Sequence, residues 1–241
     1  MCTLAVWWRT CAEHPVVAAT NRDELLDRPA EAPGPRPWGP VPVFAPRDLV
    51  AGGSWIGVNA RGVFVAITNR FGGPRDPGRR SRGHLVAEML AHESAAAAAL
   101  APIRGGDYNG FHLLVADASA AWLRVGDGVA APLTWLEPGL HVITERSFGA
   151  APTAREPLLR DLLAGADPCG GQPASFASAL TPVMSAHAEA TLDGVCVHAE
   201  ALRYGTRSSS LVRVGAQGTQ WLFAPGPPCT TPYQDLPVDL G

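Results

Sequence analysis

The chain has 241 residues, a formal net charge of −3, 46% hydrophobic residues and 17% charged residues. This balance is typical of a globular protein with a substantial core and excludes an intrinsically disordered chain. A weakly acidic chain also lacks the positive charge that nucleic-acid-binding domains carry. All 19 basic residues are arginines, which excludes chemistry that depends on a lysine, such as Schiff bases and lysine-containing phosphate loops.

The chain contains neither an apolar run long enough to cross a bilayer nor a pattern typical of a secretory leader. We therefore expect a cytoplasmic protein, and a reducing cytoplasm suits free thiols. The five cysteines form a scattered set without a C-x-x-C pair, and the histidines show no metal-site spacing. The sequence thus predicts neither a zinc ribbon nor a thioredoxin-like site, and no metal.

The chain opens with a predicted β-hairpin. Residues 3–10 and 16–19 are apolar and rich in strand-forming side chains, and a turn at 12–15 separates them. Such a hairpin returns residues 21–24 to the neighbourhood of Cys2. The polar cluster at 21–24 is therefore expected close to the start of the chain.

The remaining patterns predict more strands and helices. Residues 28–48 are rich in proline and predict a long irregular loop. Predicted strands follow at 54–58, 63–69, 111–116, 121–125, 133–135, 140–144, 195–198, 209–214 and 220–223, and predicted helices at 81–100, 155–164 and 174–187. Groups of strands alternate with groups of helices, which indicates an α+β layered fold rather than a doubly wound sheet.

The sequence favours one domain over residues 1–225 rather than two smaller domains. The only candidate linker is the loop at 165–172, and no internal repeat is found. Residues 226–241 are predicted to form a loose, proline-rich C-terminal tail.

Cys2 directly follows Met1, and cysteine is small enough for an aminopeptidase to remove that methionine. Removal leaves a thiol and a free α-amine on one residue. The amine has a pKa of about 7.7–8.0, so it can accept the thiol proton near neutral pH, as in other nucleophiles activated by an N-terminal amine. The alternative is an inert, buried cysteine.

Two further sequence patterns can each be interpreted in two ways. Arginines at 75, 79, 80 and 82 lie in a Gly/Pro-rich loop before a predicted helix, where they would suit a phosphate or carboxylate, or simply face solvent. His84 and Glu88 are four residues apart on that helix and could share a metal, but a solvated helix face is favoured because zinc needs three or four ligands.

A series of short blocks stands in the order of the NRDE family, also called the transport and Golgi organisation protein 2 family. The blocks are Cys2, NRDE at 21–24 followed by RP at 28–29, GGSWIG at 52–57, RG at 61–62, TN at 68–69, RGHLV at 82–86, YNGF at 108–111 with AD at 116–117, and YGTR at 204–207. The resemblance covers roughly residues 1–225.

The resemblance implies a branch of the N-terminal nucleophile (Ntn) hydrolases, similar to choloylglycine and penicillin V acylases, with a four-layer αββα sandwich. It also implies roles. Cys2 resembles the nucleophile, Asp23 the carboxylate that holds the α-amine, Arg22 a cation near the thiolate, Asn69 the oxyanion-hole amide, and Arg207 an arginine that steadies the site. The expected supporting residues are Asn21, Glu24, Trp55, Thr68 and Glu145.

Glu145 departs from the family pattern, which usually has an asparagine in this segment. An ionised Glu145 beside a developing oxyanion would repel it. Two functions therefore remain open: hydrolysis of a linear amide or acyl thioester through Cys2 without a cofactor, or, as the resemblance also implies, non-catalytic binding and trafficking of haem or acyl-CoA-like ligands. The state of Met1 separates them, because a retained methionine removes the α-amine from Cys2.

Overall fold

A computed structural model describes residues 2–73, 75–149, 153–170 and 173–241. Within these residues, the strands form two antiparallel sheets of seven strands each. The strands of the first sheet are β1 (Cys2–Trp8), β2 (Val16–Leu25), β10 (Gly139–Ile143), β11 (His198–Ala199), β12 (Tyr204–Gly215), β13 (Gly218–Ala224) and β14 (Gln234–Leu236). Their order is β10-β1-β2-β12-β13-β14, and β11 pairs with the start of β12.

The second sheet follows the chain directly. Its strands are β3 (Ala30–Arg36), β4 (Val43–Asp48), β5 (Ile56–Asn59), β6 (Phe64–Asn69), β7 (Phe111–Ala116), β8 (Ala121–Gly126) and β9 (Leu133–Trp135), and each pairs with the next. Helices α1 (Gly83–Leu90) and α2 (Ala95–Leu100) pack on this sheet, while α3 (Arg155–Ala164) and α4 (Pro173–Met184) pack on the first.

Three apolar clusters separate four layers. The central cluster, which includes Trp8, Phe64 and Trp221, fills the space between the sheets. Successive side chains of β1 point to opposite faces of the first sheet and so belong to different clusters. Leu4 and Trp8 pack in the central cluster against the second sheet, while Trp7 packs against α3 and α4. A strand buried on both faces has few polar residues, which explains the apolar run after Cys2. The predicted α+β, four-layer αββα fold is confirmed.

The predicted loop at 28–48 is wrong. The structure has two paired strands there, β3 and β4. β3 contains Pro33 and Pro35, which lack an N–H donor, but it is the edge strand of its sheet, where that loss is tolerated. Arg36 also ties β3 to β4, since its Nε donates to the Ala45 carbonyl at 2.8 Å.

The predicted loose tail also differs from the structure. β14 pairs with β13 over residues 234–236, and Leu236, Val238 and Leu240 pack against the central cluster. The alternation of apolar residues with prolines and acids places these three side chains on one face. The domain division at residue 225 stays a prediction.

Smaller differences concern element ends. The helix predicted at 81–100 is two helices, and Ser94 begins the second because its Oγ accepts the Ala97 N–H at 3.2 Å. The predicted strand at 195–198 shortens to β11. Residues 171–172 of the candidate linker lie outside the described residues.

Cys11 and Cys169 form a disulfide, which the sequence pattern did not predict. It joins the turn after β1 to the loop after α3. Because disulfides persist mainly in oxidising compartments, the cytoplasmic location stays a prediction. In the described part of the chain, no helix combines the length and apolar character needed to span a membrane.

Buried His112 predicts an acid-sensitive stability. Burial lowers its pKa from 6.5 to about 4, so the unfolded chain binds a proton over this range that the folded protein does not. We therefore expect the free energy of unfolding to fall by about 3 kcal/mol as pH drops from 6.5 to 4. Urea titrations of the wild type and His112→Gln across this range test the prediction, and His92→Gln is the control. Equal pH slopes in wild type and His112→Gln would contradict it.

Candidate active site

Strand pairing brings Cys2 and Arg22 side by side. Cys2 lies opposite Arg22 in the β1–β2 register, and directly opposed residues point to the same face of a sheet. The Arg22 guanidinium is held in place from two sides. Its Nη2 donates to Asp48 Oδ2 at 3.1 Å, and its Cζ lies 4.3 Å from the centre of the Trp55 ring.

The surroundings of the Cys2 thiol act on its pKa in opposite directions. Burial raises the pKa above its ordinary value, and the charge of Asp23 raises it further. The charged chain terminus, the Asp23 backbone N–H and Arg22 lower it. Because the net pKa shift is upward, formation of the thiolate requires a base close to the sulfur.

Asp23 points to the opposite face of the first sheet and joins a buried ionic group. Arg155 Nη1 lies 3.1 Å from Asp23 Oδ2 and 3.5 Å from Glu145 Oε2. Thr206 donates its hydroxyl to Asp23 Oδ1 at 2.7 Å, and Arg155 Nη2 donates to the Leu192 carbonyl. Arg155 is fully buried. Because Arg155 lies beside Glu145, the Glu145 carboxylate has a cationic partner that offsets its negative charge.

The pKa of Asp23 is raised, mainly by burial and to a smaller extent by Glu145. Arg155, the charged chain terminus and the Thr206 hydroxyl lower it. Asp23 thus lies close enough to Cys2 for its charge to raise the pKa of the Cys2 thiol.

Cys2 opens into a cavity of about 950 Å³. Asn69, the last residue of β6, lines this cavity together with Arg22, Trp55 and Glu24. Thr68 does not line it, because its side chain points to the other face and lies 3.0 Å from His112 Nδ1. The alternation along β6 thus directs the amide of Asn69, and not the hydroxyl of Thr68, towards the cavity.

The arginines of the 75–82 loop line the same cavity. Arg79 and Arg80 have acidic partners in Asp76 and Glu88. Among the described residues, Arg75 and Arg82 have no acidic partner within 4 Å, and Arg82 Nη1 donates to the Gly110 carbonyl at 2.8 Å. Burial lowers the pKa of Arg82, and so does the neighbouring charge of Arg75.

Six of the ten predicted site residues line the cavity and four do not. The six are Cys2, Arg22, Asp23, Glu24, Trp55 and Asn69. Glu145 lines an adjoining cavity of about 850 Å³ that shares Asn69. Thr68 bonds to His112 as described, while Asn21 Nδ2 donates to the Met184 and Val195 carbonyls at 2.9 and 2.8 Å. Arg207 occupies the bulge where the β12–β2 register shifts.

Two residues of the candidate site, Arg155 and Thr206, were not predicted from the sequence. Arg155 looks like an ordinary first residue of an amphipathic helix, and no local pattern marks it as buried. Thr206 was part of a family block, but its contact with Asp23 depends on the β12–β2 register. The His84–Glu88 metal pair gains no support, since His84 Nε2 lies 2.7 Å from the Ala51 carbonyl and Glu88 pairs with Arg80.

The chain is similar in sequence to one protein family and in fold to several solved structures. The family model described as Transport and Golgi organisation 2 matches residues 1–224. The Transport and Golgi organization protein 2 homolog of Homo sapiens is 31% identical over 156 residues, covering 62% of this chain and 55% of that protein. The homolog of Mus musculus is 31% identical over 140 residues, covering 56% and 49%. The chain thus spans about half the length of the curated relatives it matches.

Solved structures similar to this chain are Ntn hydrolases. Penicillin V acylase from Agrobacterium tumefaciens has a TM-score of 0.56 at 13% identity, covering 92% of this chain and 82% of that one. A Caenorhabditis elegans ortholog of N-acylethanolamine-hydrolyzing acid amidase has a TM-score of 0.58 at 12% identity, covering 90% and 98%. A single-residue variant of conjugated bile acid hydrolase from Clostridium perfringens has a TM-score of 0.53 at 11% identity, covering 100% and 98%. At these identities the similarity shows the fold alone.

Proposed function

The chain belongs to the Transport and Golgi organisation 2 family, and with this membership as the starting point we propose that it is a cysteine Ntn hydrolase. Cys2 is the nucleophile, and the substrate is a linear amide or acyl thioester. The observation that carries the proposal is the pairing of Cys2 with Arg22 at the wall of a large cavity. A buried, inert cysteine would need neither a fixed cation beside it nor access to a cavity.

The proposed reaction has two stages. After Met1 is removed, the α-amine of Cys2 accepts the thiol proton, and the sulfur attacks the substrate carbonyl carbon. A C–S bond forms, the tetrahedral intermediate collapses, and the leaving amine or thiol takes the proton from the α-ammonium. Water then attacks the acyl thioester with the amine as base, which releases a carboxylic acid and restores the thiol. This sequence requires no cofactor.

The charged residues around Cys2 support this sequence. Arg22 favours the thiolate, and Asp23, the next residue of β2, is proposed to orient the α-amine of Cys2. Arg155 lies between Asp23 and Glu145, so the negative charge of Glu145 is offset before an oxyanion develops. These contacts support a hydrolase in spite of the departure at Glu145.

Asn69 is proposed to stabilise the oxyanion. Removing one such donor typically lowers kcat by about 10²–10³-fold, and we expect a loss of this size in Asn69→Ala with a smaller change in KM. Asn109→Ala is the matched control, because Asn109 lines the same cavity but uses its amide to bond the Asp76 backbone. Steady-state kinetics of both variants tests the role, and equal losses in the two would contradict it.

The arginines that line the cavity predict a substrate that carries a negative charge. Arg82 lines the cavity without an acidic partner among the described residues, so we expect Arg82→Met to lower kcat/KM for an anionic substrate by about tenfold, the effect of roughly 1.4 kcal/mol. A neutral analogue should be affected much less. Arg80→Met is the control, since Arg80 lines the cavity but pairs with Glu88 at 2.6 Å. Equal losses for both substrates would exclude this role.

The first test is the intact mass of the purified protein before and after brief treatment with a thiol-directed acylating probe. Met1 lies outside the described residues, so its state must be measured. Loss of Met1 with rapid single labelling at Cys2 supports the proposal. Retained Met1, or labelling of Cys2 no faster than that of cysteine in the urea-unfolded protein, opposes it. Haem or acyl-CoA binding without turnover would then be the function to test, by titration of the same sample.

A further inference from the structure

A second group of reactive side chains lies apart from the cavity. His187 follows α4, Cys196 lies two residues before β11, His198 is the first residue of β11, and Cys229 lies in the segment after β13. The candidate ligand atoms of His187, Cys196 and His198 lie within 4.8 Å of one another. Cys229 completes the group, because its sulfur is 3.1 Å from His198 Nε2 and 3.6 Å from the Cys196 sulfur. Neither cysteine belongs to the disulfide.

We propose that His187, Cys196, His198 and Cys229 form a structural zinc site. Zinc prefers four sulfur and nitrogen ligands in a tetrahedron, and four protein ligands leave no position for substrate. The two histidines and two thiolates form a set of this type. This inference is independent of the proposed hydrolase activity.

The distances among Cys196, His198 and Cys229 are close to those around one tetrahedral ion. With Zn–S of about 2.3 Å and Zn–N of about 2.0–2.1 Å, two sulfurs should be about 3.8 Å apart and a sulfur and a nitrogen about 3.6 Å apart. The observed Cys196–Cys229 sulfur distance is 3.6 Å, and His198 Nε2 is 3.6 and 3.1 Å from the two sulfurs. A sulfur separation of 3.6 Å is also far longer than the roughly 2.05 Å of a disulfide bond.

A hydrogen bond prepares His187 for metal binding. Its Nδ1 lies 3.2 Å from the Cys196 carbonyl, and a carbonyl only accepts, so Nδ1 carries the proton. Nε2 then holds the lone pair that can bind an ion. Metal-binding histidines typically donate their second nitrogen to a carbonyl or carboxylate in this way.

The site would connect parts of the chain that are distant in sequence. Cys229 lies in the turn that the Thr231 N–H closes onto the Pro227 carbonyl, while Cys196 and His198 belong to the segment between α4 and β12. The Val195 carbonyl of that segment accepts from Asn21, and the Leu192 carbonyl accepts from Arg155. Zinc would therefore fasten the C-terminal segment to the loop that supports the buried ionic group.

Metal analysis of the untagged, full-length protein tests the site directly. We expect one zinc per chain, removable by a chelator and restored by added zinc. Binding releases both thiol protons, so zinc should protect Cys196 and Cys229 from a thiol reagent. Cobalt(II) added to the stripped protein should give the sulfur-to-cobalt charge-transfer band of a thiolate site.

Ligand variants separate this site from adventitious binding. Cys229→Ser and His198→Asn should each weaken zinc binding at least about tenfold, since even a lost outer contact costs 10–100-fold. Cys2→Ser and His92→Asn are the controls, because they remove a thiol and an imidazole outside the group. The proposal is overturned if the wild type binds no zinc, if the ligand variants bind it as tightly as the controls, or if peptide mapping finds a Cys196–Cys229 disulfide. The cobalt spectrum of the wild type decides the matter even if a variant fails to fold.

Discussion

Cys2→Ala should lower turnover of any accepted amide or thioester by at least about 10⁴-fold. The substitution removes the only sulfur that faces the cavity among its described lining residues. It leaves the strand intact, because Cys2 pairs with Arg22 through its backbone and alanine is tolerated in a strand. Substrate binding should change little, so the loss should appear in kcat. Single-turnover kinetics with an acyl thioester measures it.

Two comparisons make the Cys2 result specific. Cys2→Ser keeps the volume and offers a weaker nucleophile, so we expect residual activity above that of Cys2→Ala. The zinc content of both variants should equal that of the wild type, which separates a failed nucleophile from a failed fold. Undiminished turnover in Cys2→Ala would refute the proposed function and leave the zinc proposal untouched.

Arg155→Met should destabilise the protein by about 3–5 kcal/mol, because it leaves two buried carboxylates without their cation. Asp23 and Glu145 are both buried, and Arg155 Nη1 contacts both. Urea unfolding at neutral pH measures the loss. Arg160→Met is the matched control on the same helix, since Arg160 is exposed and pairs with Glu156 at 2.8 Å. Exposed pairs contribute about 0–1 kcal/mol.

A second substitution tests the cause of that loss. Arg155→Met combined with Glu145→Gln removes one of the two carboxylate charges that Arg155 contacts and should recover part of the stability. No recovery would show that Arg155 stabilises the fold through packing alone. Equal effects of Arg155→Met and Arg160→Met would show that the buried ion pairs contribute no more stability than an exposed pair. The triple variant with Asp23→Asn extends the same comparison to the second carboxylate.

Much of the fold could be predicted because its information is local. The hairpin at the start of the chain is visible in two apolar runs and a turn, and it fixes the Cys2–Arg22 contact without knowledge of the remaining chain. β3 could not be predicted, since its prolines are tolerated only at a sheet edge, and edge position depends on the complete sheet. β14 was missed for a similar reason, because its short pairing depends on β13.

In the candidate site, too, residues that one local motif brings together could be predicted, and residues that meet only through tertiary packing could not. Residues within one motif, such as Arg22 and Asp23, could be predicted, although their opposite orientations follow from strand alternation. Arg155 could not, because its partner Asp23 is 132 positions away and only the packing of α3 on the first sheet brings them together. The group formed by Cys196, His198 and Cys229 likewise depends on two loops meeting, and no regular spacing links its members.

The position of β1 between β2 and β10 has a consequence for the order of events during synthesis. β1 and β2 are close in the sequence, but β10, the other neighbour of β1, begins more than 100 residues after β2 ends. At about 5–20 residues per second, that interval lasts roughly 5–25 seconds. The strand that carries the thiol therefore gains its second neighbouring strand only after this interval. An aminopeptidase acting on the nascent chain has these seconds to reach Met1 before the second neighbouring strand encloses β1.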